Sequence, residues 1–232
     1  MNTNIQATRE IKKMDIDRIE ISKKIYIIIK RIIDIIGALI GCLILLPLTL
    51  CIWIANLIAK DNGPIFYKHR RIGKNGKEFN MYKFRTMCMN AHEMVKDEEA
   101  MKKYFSEQQI EEWKENYKIE DDPRITKVGK FLRKTSLDEV PQVFNILKGE
   151  LSIIGPRPVI DDELEKYGKD KEKFLSVTPG LTGYWAANGR SDTDYDKRIE
   201  MELYYVDNMS FKLDFQIFFK TIISVIKREG AR

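Results

Sequence analysis

Hydrophobic positions in this chain are concentrated rather than spread. Ile35 to Ala59 is a run of 25 residues without one charge, IIGALIGCLILLPLTLCIWIANLIA, where roughly 20 apolar residues suffice to cross a bilayer. It is too long, starts too late and lacks the small-residue cleavage site of a signal peptide. Pro47 stands at its centre with twelve uncharged residues on each side. A proline there removes a backbone hydrogen bond and clashes with the preceding turn, so a kink is expected. Each half would reach only about 18 Å at ~1.5 Å per residue, short of the ~30 Å hydrocarbon core.

Beyond this segment the pattern is that of a folded domain. Asn62-Gly63-Pro64 reads as a turn and Ile65-Phe66-Tyr67 as a short strand. Gly73 to Lys77 reads as a hairpin turn leading into a strand over 78–84. Residues 91–118 are dense in Glu, Lys, Gln and Met, with Met94, Met101, Phe105, Ile110 and Trp113 at loosely helical spacing, which predicts one or two solvated amphipathic helices. Leu151–Ile154 reads as a buried strand or apolar turn, closed by Gly155-Pro156-Arg157-Pro158, and residues 178–190 as a shaped loop. Phe211 to Lys227 predicts a helix with an apolar stripe, read first as a core face and second as an interfacial helix. No internal repeat or low-complexity linker interrupts the chain.

Charge changes the reading of the apolar segment. The 232 residues carry 40 Lys and Arg against 35 Asp and Glu, a net +5, and placement matters more than the excess. Residues 1–34 hold eight Lys/Arg and residues 60–85 hold another eight. The positive-inside rule places such flanks on the cytoplasmic face. A single span satisfies one flank, a re-entrant helix-Pro-helix hairpin satisfies both, and the residues alone leave the two open. With 44% hydrophobic and 32% charged residues, a disordered chain and a polytopic membrane protein are both excluded. Two histidines (His69, His92) rule out a His-rich metal centre. Three cysteines (Cys42, Cys51, Cys88) without C-x-x-C spacing rule out a zinc ribbon or disulfide framework.

With so few histidines, carboxylates are the natural nucleophile and base. Asp138 and Glu139 lie in Lys134-Thr135-Ser136-Leu137-Asp138-Glu139-Val140-Pro141-Gln142. Ser136 with Glu139 three residues on has the spacing of a capping box that starts a helix, and this plain role comes first. The same pair can instead share a divalent cation and supply a nucleophile, with Arg133 near enough in sequence to hold a phosphate. Arg157, fixed between two prolines, is pre-organised for an oxyanion or a structural carboxylate. Lys68 to Arg71 and Lys83-Phe84-Arg85 are read first as anchors to anionic headgroups, and second as grips on a substrate phosphate. Asp192-Thr193-Asp194 matches the D-x-D pattern of metal-dependent glycosyltransferases, a pattern common by chance.

Taken together, GPIFYKHRRIGKNGKEFNMYKFRTM (63–87), DDPRITKVGKFLRKTSLDEVPQVFNILKGELSIIGPRP (121–158) and PGLTGYWAANGRSD (179–192) resemble the bacterial sugar transferase family of monotopic phosphoglycosyl transferases. The likeness runs from about Lys30 to the C-terminus, and the chain is expected to be the bare catalytic core. The resemblance implies transfer of a sugar-1-phosphate from a UDP-sugar to undecaprenyl phosphate, with UMP released, as the first membrane step of exopolysaccharide, O-antigen or glycoconjugate assembly. It implies Asp138 as a nucleophile forming a covalent phosphosugar and Glu139 as its partner, with Mg²⁺ held there. It further implies Arg157 on phosphate, and Lys83, Arg85, Arg133, Asn188 and Arg190 as substrate-binding positions. Pro47 matches the break of a re-entrant hairpin, which favours the hairpin over the span.

The fold so implied is α+β and mainly helical. It has a cytosolic segment over 1–29, a re-entrant membrane helix over 30–60, and a compact membrane-apposed cytosolic domain over 61–232 with interfacial amphipathic helices. The expected setting is the cytoplasmic leaflet of a bacterial plasma membrane, with downstream glycosyltransferases as further partners and no nucleic acid. Ala186-Ala187 depart from the family pattern, in which many members carry a Gln, so no sugar preference is carried over through that loop. Two rivals remain: a D-x-D glycosyltransferase using Asp192 and Asp194, and a membrane-tethered adaptor in which Asp138-Glu139 only caps a helix.

Overall fold

The computed structural model describes residues 2–116, 119, 121–189 and 193–227, with only the helical backbone described for residues 2–20, 115–116 and 225–226. Its longest element, α1 (Asn2–Ile58), is one helix of 57 residues with Pro47 inside it. The expected break at Pro47 is therefore not seen in the secondary structure, and the helix runs on through residue 30. Proline deletes only one donor, while Leu45 and Ile52 on either side of it are buried in the same core. The Thr49 hydroxyl donates to the Leu45 carbonyl one turn back at 2.7 Å, a local bond that tends to bend a helix. Within α1, Ile21–Ile58 is long and apolar enough to cross a membrane, with a mean hydropathy of 2.7 over its most apolar window.

One face of α1 packs on the rest of the chain. Ala38, Leu45 and Ile52, seven residues apart, are buried with Phe79, Phe84, Leu132, Ile146 and Leu151. Gly37 and Gly41 let the helix approach closely, since a Cβ there would lie 2.6 Å from the Ile153 and Val143 side chains respectively. The opposite face leaves Ile36, Leu39, Leu43, Leu46, Leu50, Trp53 and Leu57 exposed. Asp34, buried at the edge of the apolar run, accepts from the Ser152 hydroxyl at 3.0 Å and the Ile153 N–H at 2.8 Å. Arg31 donates to the carbonyls of Ile146 at 2.5 Å and Leu147 at 2.8 Å. These lie in the last turn of α5, where carbonyls lack helical partners and favour a cation.

The domain that α1 supports is built from short elements. β1 (Phe66–Ile72) and β2 (Glu78–Phe84) form an antiparallel hairpin in the register His69 opposite Met81. Then come α2 (Glu98–Tyr104) and α3 (Glu107–Asn116), which close a satellite core of Met94, Met101, Phe105 and Ile110. There the buried Asp122–Arg124 pair stacks its guanidinium on Trp113, 4.6 Å from the ring centre. α4 (Lys127–Lys134), a 3₁₀ segment over Leu137–Gln142 and α5 (Val143–Lys148) lead into β3 (Ser152–Ile154). α6 (Asp161–Glu165) and α7 (Lys171–Leu175) precede β4 (Gly180–Thr182), which pairs in parallel with β3. α8 (Tyr184–Asn188), α9 (Tyr195–Asn208) and α10 (Phe211–Lys227) complete the chain.

The structure is thus mainly helical, 64% of it helix, and the two-stranded sheets serve as clamps. The stretch 178–190, expected to be a loop, is a strand followed by a helix as far as Gly189. The Phe stripe of α10 is not a core face: Phe211, Phe215, Phe218, Phe219, Ile222 and Ile223 are exposed, and among its described large apolar side chains only Ile217 is fully buried. Tyr26 and Lys30 of α1 and Tyr205 of α9 all bond the carboxylate of Asp214, each at 2.8 Å, fastening α10 beside the start of the apolar run. Replacing Gly41 with Val should overpack the α1–α5 contact at a cost of about 1–3 kcal/mol. A lowered denaturation midpoint of the detergent-solubilised protein would show it, and an unchanged midpoint would refute the close packing.

Candidate active site

Asp138 and Glu139 sit in the 3₁₀ segment that follows Ser136, and the local backbone is not the expected cap. Ser136 is left-handed (φ 55°) and its side chain makes no capping bond, so the Ser136–Glu139 capping box does not form. The left-handed residue turns the chain abruptly after α4 and costs energy that the surrounding packing must offset. Glu139 instead reaches across to β2, where the Lys83 ammonium donates to Oε1 at 2.7 Å. The same ammonium lies 3.8 Å from Asp138 Oδ2. Lys83 therefore bridges the two carboxylates.

Burial pushes the Asp138 carboxyl up from its ordinary value, partly offset by Lys83, while Glu139 pushes the same way as burial. Arg133 also faces the charge of Asp138 and donates through Nε to the Thr86 hydroxyl at 3.0 Å. Glu139 and Arg157 line a small open cleft, together with Arg71, Gln142, Trp185 and Glu202. The cleft's floor is the β3–β4 junction, held tight because a Cβ on Gly180 would fall 2.1 Å from the Gly155 nitrogen. Glu139 and the exposed Arg157 thus border one opening, with Asp138 next to Glu139 in the chain and Lys83 bonded to Glu139, a set suited to charge neutralisation at a phosphorus centre.

A family model described as bacterial sugar transferase matches residues 25–228, which takes in every element that builds this cleft. The chain belongs to the bacterial sugar transferase family. It is similar to the undecaprenyl-phosphate galactose phosphotransferase of Salmonella typhimurium, 44% identical over 203 residues, 88% of this chain and 41% of that protein. The exopolysaccharide production protein ExoY of Rhizobium meliloti is 44% identical over 204 residues, 87% of each chain. A UDP-N-acetylgalactosamine-undecaprenyl-phosphate N-acetylgalactosaminephosphotransferase of Aeromonas hydrophila is 37% identical over 216 residues, 90% of this chain and 46% of that one. The chain spans about two fifths of the length of relatives such as the Salmonella protein.

Not every expected residue reaches the cleft. Arg85 is spent elsewhere: its guanidinium donates to the Pro64 and Met87 carbonyls and to Asp61, at 2.7–2.8 Å. It ties the turn after α1 to the end of β2, because those acceptors surround it before any ligand could. Asn188 accepts from Lys220 at 2.6 Å and donates to the Tyr184 carbonyl at 2.7 Å, joining α8 to α10 rather than facing the opening. Arg190 lies outside the described residues, as does Asp192. Asp194, the other member of the D-x-D pattern, caps α9 by accepting the Lys197 N–H at 2.7 Å.

Three residues of the cleft region, Glu163, Arg198 and Glu202, were missed in the sequence, while Arg71 belonged to the basic run read there as a possible phosphate grip. Arg71 and Arg198 both bond Glu163, at 3.1 Å and 3.2 Å, and Arg198 lies over the Trp185 ring at 4.8 Å. Glu202, wholly buried, accepts the Arg157 N–H at 3.2 Å. The signal available was a helix, α9, carrying Arg198 and Glu202 four apart amid apolar neighbours; without the fold, that spacing reads as a surface ion pair. His69 sits beside this cluster, and burial followed by the charges of Arg71, Lys83 and Arg157 lowers its pKa to about 4, so it is neutral at physiological pH. Since Ser136 makes no cap, Ser136→Ala should leave stability within about 0.5 kcal/mol. Loss of the ~1 kcal/mol typical of a removed cap, read from chemical denaturation, would restore the capping role.

Proposed function

We propose that the chain transfers a sugar-1-phosphate from a UDP-sugar to undecaprenyl phosphate and releases UMP. The observation that carries this reading is the Asp138–Glu139 pair bridged by Lys83 beside a cleft that Arg157 also lines. It occurs in a chain similar to proteins named for undecaprenyl-phosphate sugar phosphotransfer. An Asp138 carboxylate oxygen bonds to the sugar-bearing phosphorus while the bond from that phosphorus to the bridging oxygen breaks, its electron pair leaving with UMP. An oxygen of undecaprenyl phosphate then bonds to the same phosphorus, and the aspartyl–phosphorus bond breaks to return the carboxylate. Arg157 and Arg133 hold phosphate oxygens, and Lys83 neutralises charge next to the nucleophile.

The donor set suits Mg²⁺, which takes one or two carboxylates together with substrate phosphates and water. The Lys83 ammonium between two carboxylates, at 2.7 Å and 3.8 Å, marks a place where positive charge is already stabilised. Asp138 and Glu139 would hold the ion, and it would supply charge neutralisation on the diphosphate. The rivals lose their support: Asp194 is engaged as a helix cap, and Asp138-Glu139 has no capping box to explain it.

The same reading places α1 as a re-entrant element in the cytoplasmic leaflet of a bacterial plasma membrane. Arg31 and Asp61 bracket the apolar run, and both bond the same domain, through Ile146 and Leu147 at one end and Arg85 at the other. A helix spanning the bilayer separates its flanks by the ~30 Å core; one domain grips both flanks most simply when both are on one side. The exposed Phe stripe of α10, anchored beside Tyr26, extends the same apolar surface.

Asp138→Asn should abolish UMP release from UDP-sugars in the presence of undecaprenyl phosphate while leaving the fold intact. Near-normal release by the variant would overturn the covalent mechanism, and UDP release by the wild type would overturn the reaction class. Because the Asp138 pKa is raised, its ionised, nucleophilic form is gained as pH rises, so the wild-type rate should fall on the acid side.

Single cysteines near Lys23 and near Lys74, in a chain lacking Cys42, Cys51 and Cys88, should both resist a membrane-impermeant thiol reagent applied to intact cells. Labelling near residue 23 alone would establish a span and exclude the re-entrant course.

A further inference from the structure

Every buried side-chain nitrogen or oxygen left without a hydrogen-bond partner among the described residues belongs to Arg71, Tyr167, Arg198 or Glu202. All four are electrostatic neighbours around the Arg157 side of the cleft. Of them, Glu202 combines burial with direct contact to a ligand-facing residue. It is 1% exposed, yet lines the cleft with Arg157. Its Oε1 accepts the backbone N–H of Arg157 at 3.2 Å, and its Oε2 has no partner. That oxygen lies 3.9 Å from where a Cβ on Gly183 would stand, a position already closed by the Gly155 carbonyl at 2.2 Å. Arg198 does not fill the gap, because the guanidinium nitrogen that bonds at all is given to Glu163.

We propose that Glu202 is a positioning residue that holds the Arg157 backbone and takes up one proton from solvent when the anionic UDP-sugar binds, removing a negative charge that competes through space with the donor diphosphate for the Arg157 guanidinium. This rests on reading the cleft as the donor site. An ionised, half-bonded carboxylate in a buried wall is costly, and burial pushes the Glu202 pKa up to about 7. A diphosphate on Arg157 brings further negative charge to face the carboxylate and favours its neutral form. Binding that raises a pKa is stronger where the group is already protonated.

The groups facing Glu202 do not titrate in the same range. Arg157 comes from the loop after β3, Tyr167 from beyond α6, and Arg198 and Tyr195 from its own helix, with Glu163 and Arg71 one step further. Burial raises both phenols, Arg198 is held above its ordinary value, Glu163 is held below its own, and Arg71 falls only to about 10. Glu202 is therefore the group of this cluster that changes charge near neutrality.

The test uses full-length protein in detergent carrying Asp138→Asn, which binds the donor without turnover and removes the titration of Asp138. UDP-galactose affinity should weaken by up to about tenfold per unit as pH rises above about 7. Calorimetry in two buffers of different ionisation enthalpy should show net proton uptake near pH 7.5, approaching one proton. Adding Glu202→Gln, which keeps an acceptor for Arg157 N–H and mimics the protonated state, should abolish both the slope and the uptake while retaining the affinity seen at low pH. The same slope with Gln at 202, or no uptake in the Glu202 protein, overturns the inference. No UDP-galactose binding by either protein, together with no UMP release by wild type from any UDP-sugar, overturns instead the donor-site reading beneath it.

Discussion

Contact of α1 with α5 and β3 is the constraint on which the remaining architecture depends. A helix this apolar has no reason to prefer protein over lipid on grounds of hydrophobicity alone, since lipid tails are as apolar as leucine. Close approach at Gly37 and Gly41 supplies the van der Waals contact, and buried polar bonds supply the specificity. Asp34 completes the start of β3, and Arg31 closes the end of α5. The helix that carries the apolar surface is thereby the helix that orders the segment following Asp138 and Glu139. Anchoring and chemistry share one core.

That coupling explains why the site is assembled from such short elements. The hairpin β1–β2 contributes Lys83 and Arg71, the 3₁₀ segment contributes Asp138 and Glu139, and the β3–β4 junction presents Arg157 and the wall behind it. None of these pieces is long enough to be stable alone. Each is held by the core under α1: Met81 and Phe84 from β2, Val143 and Ile146 from α5, and Leu151 ahead of β3 are all buried in it. Asn145, fully buried, joins them by accepting the Tyr82 N–H at 3.0 Å and donating to the Asn80 carbonyl at 2.8 Å.

The cleft also concentrates buried charge in an arrangement that favours ligand binding over stability. Arg71, Arg198 and Glu163 satisfy each other only in part, leaving guanidinium nitrogens unbonded. Ion pairs taken out of water rarely stabilise a fold, and incomplete ones less so. Arg157, by contrast, keeps its side chain exposed at the opening, with the Trp185 ring 5.7 Å away. Rigid cations behind and one accessible cation in front make a pre-organised electrostatic wall, the form of stabilisation that phosphoryl transfer uses most.

The long apolar segment, the β-hairpin around Gly73–Lys77, the amphipathic region before residue 116 and the C-terminal helix were legible in the sequence. Each is carried by local composition, periodicity or an uninterrupted motif. What the local pattern misjudged were positions where a distant partner decides the outcome. Ser136 looks like a cap, but its backbone is left-handed and Glu139 bonds Lys83 from a strand 56 positions earlier. Arg85 looks like a phosphate ligand, but Pro64, Met87 and Asp61 reach it first. The Phe stripe of α10 has the spacing of a core face, yet the side turned inward is that of Asp214 and Ile217. Glu202 carried only an ambiguous signal, since a carboxylate four residues from an arginine on a helix reads as ordinary surface until the chain folds over it. A sequence specifies which side chains can bond and bury; only the tertiary structure decides which partner arrives first, because hydrogen bonds and desolvation act over a few ångströms in space and not along the chain.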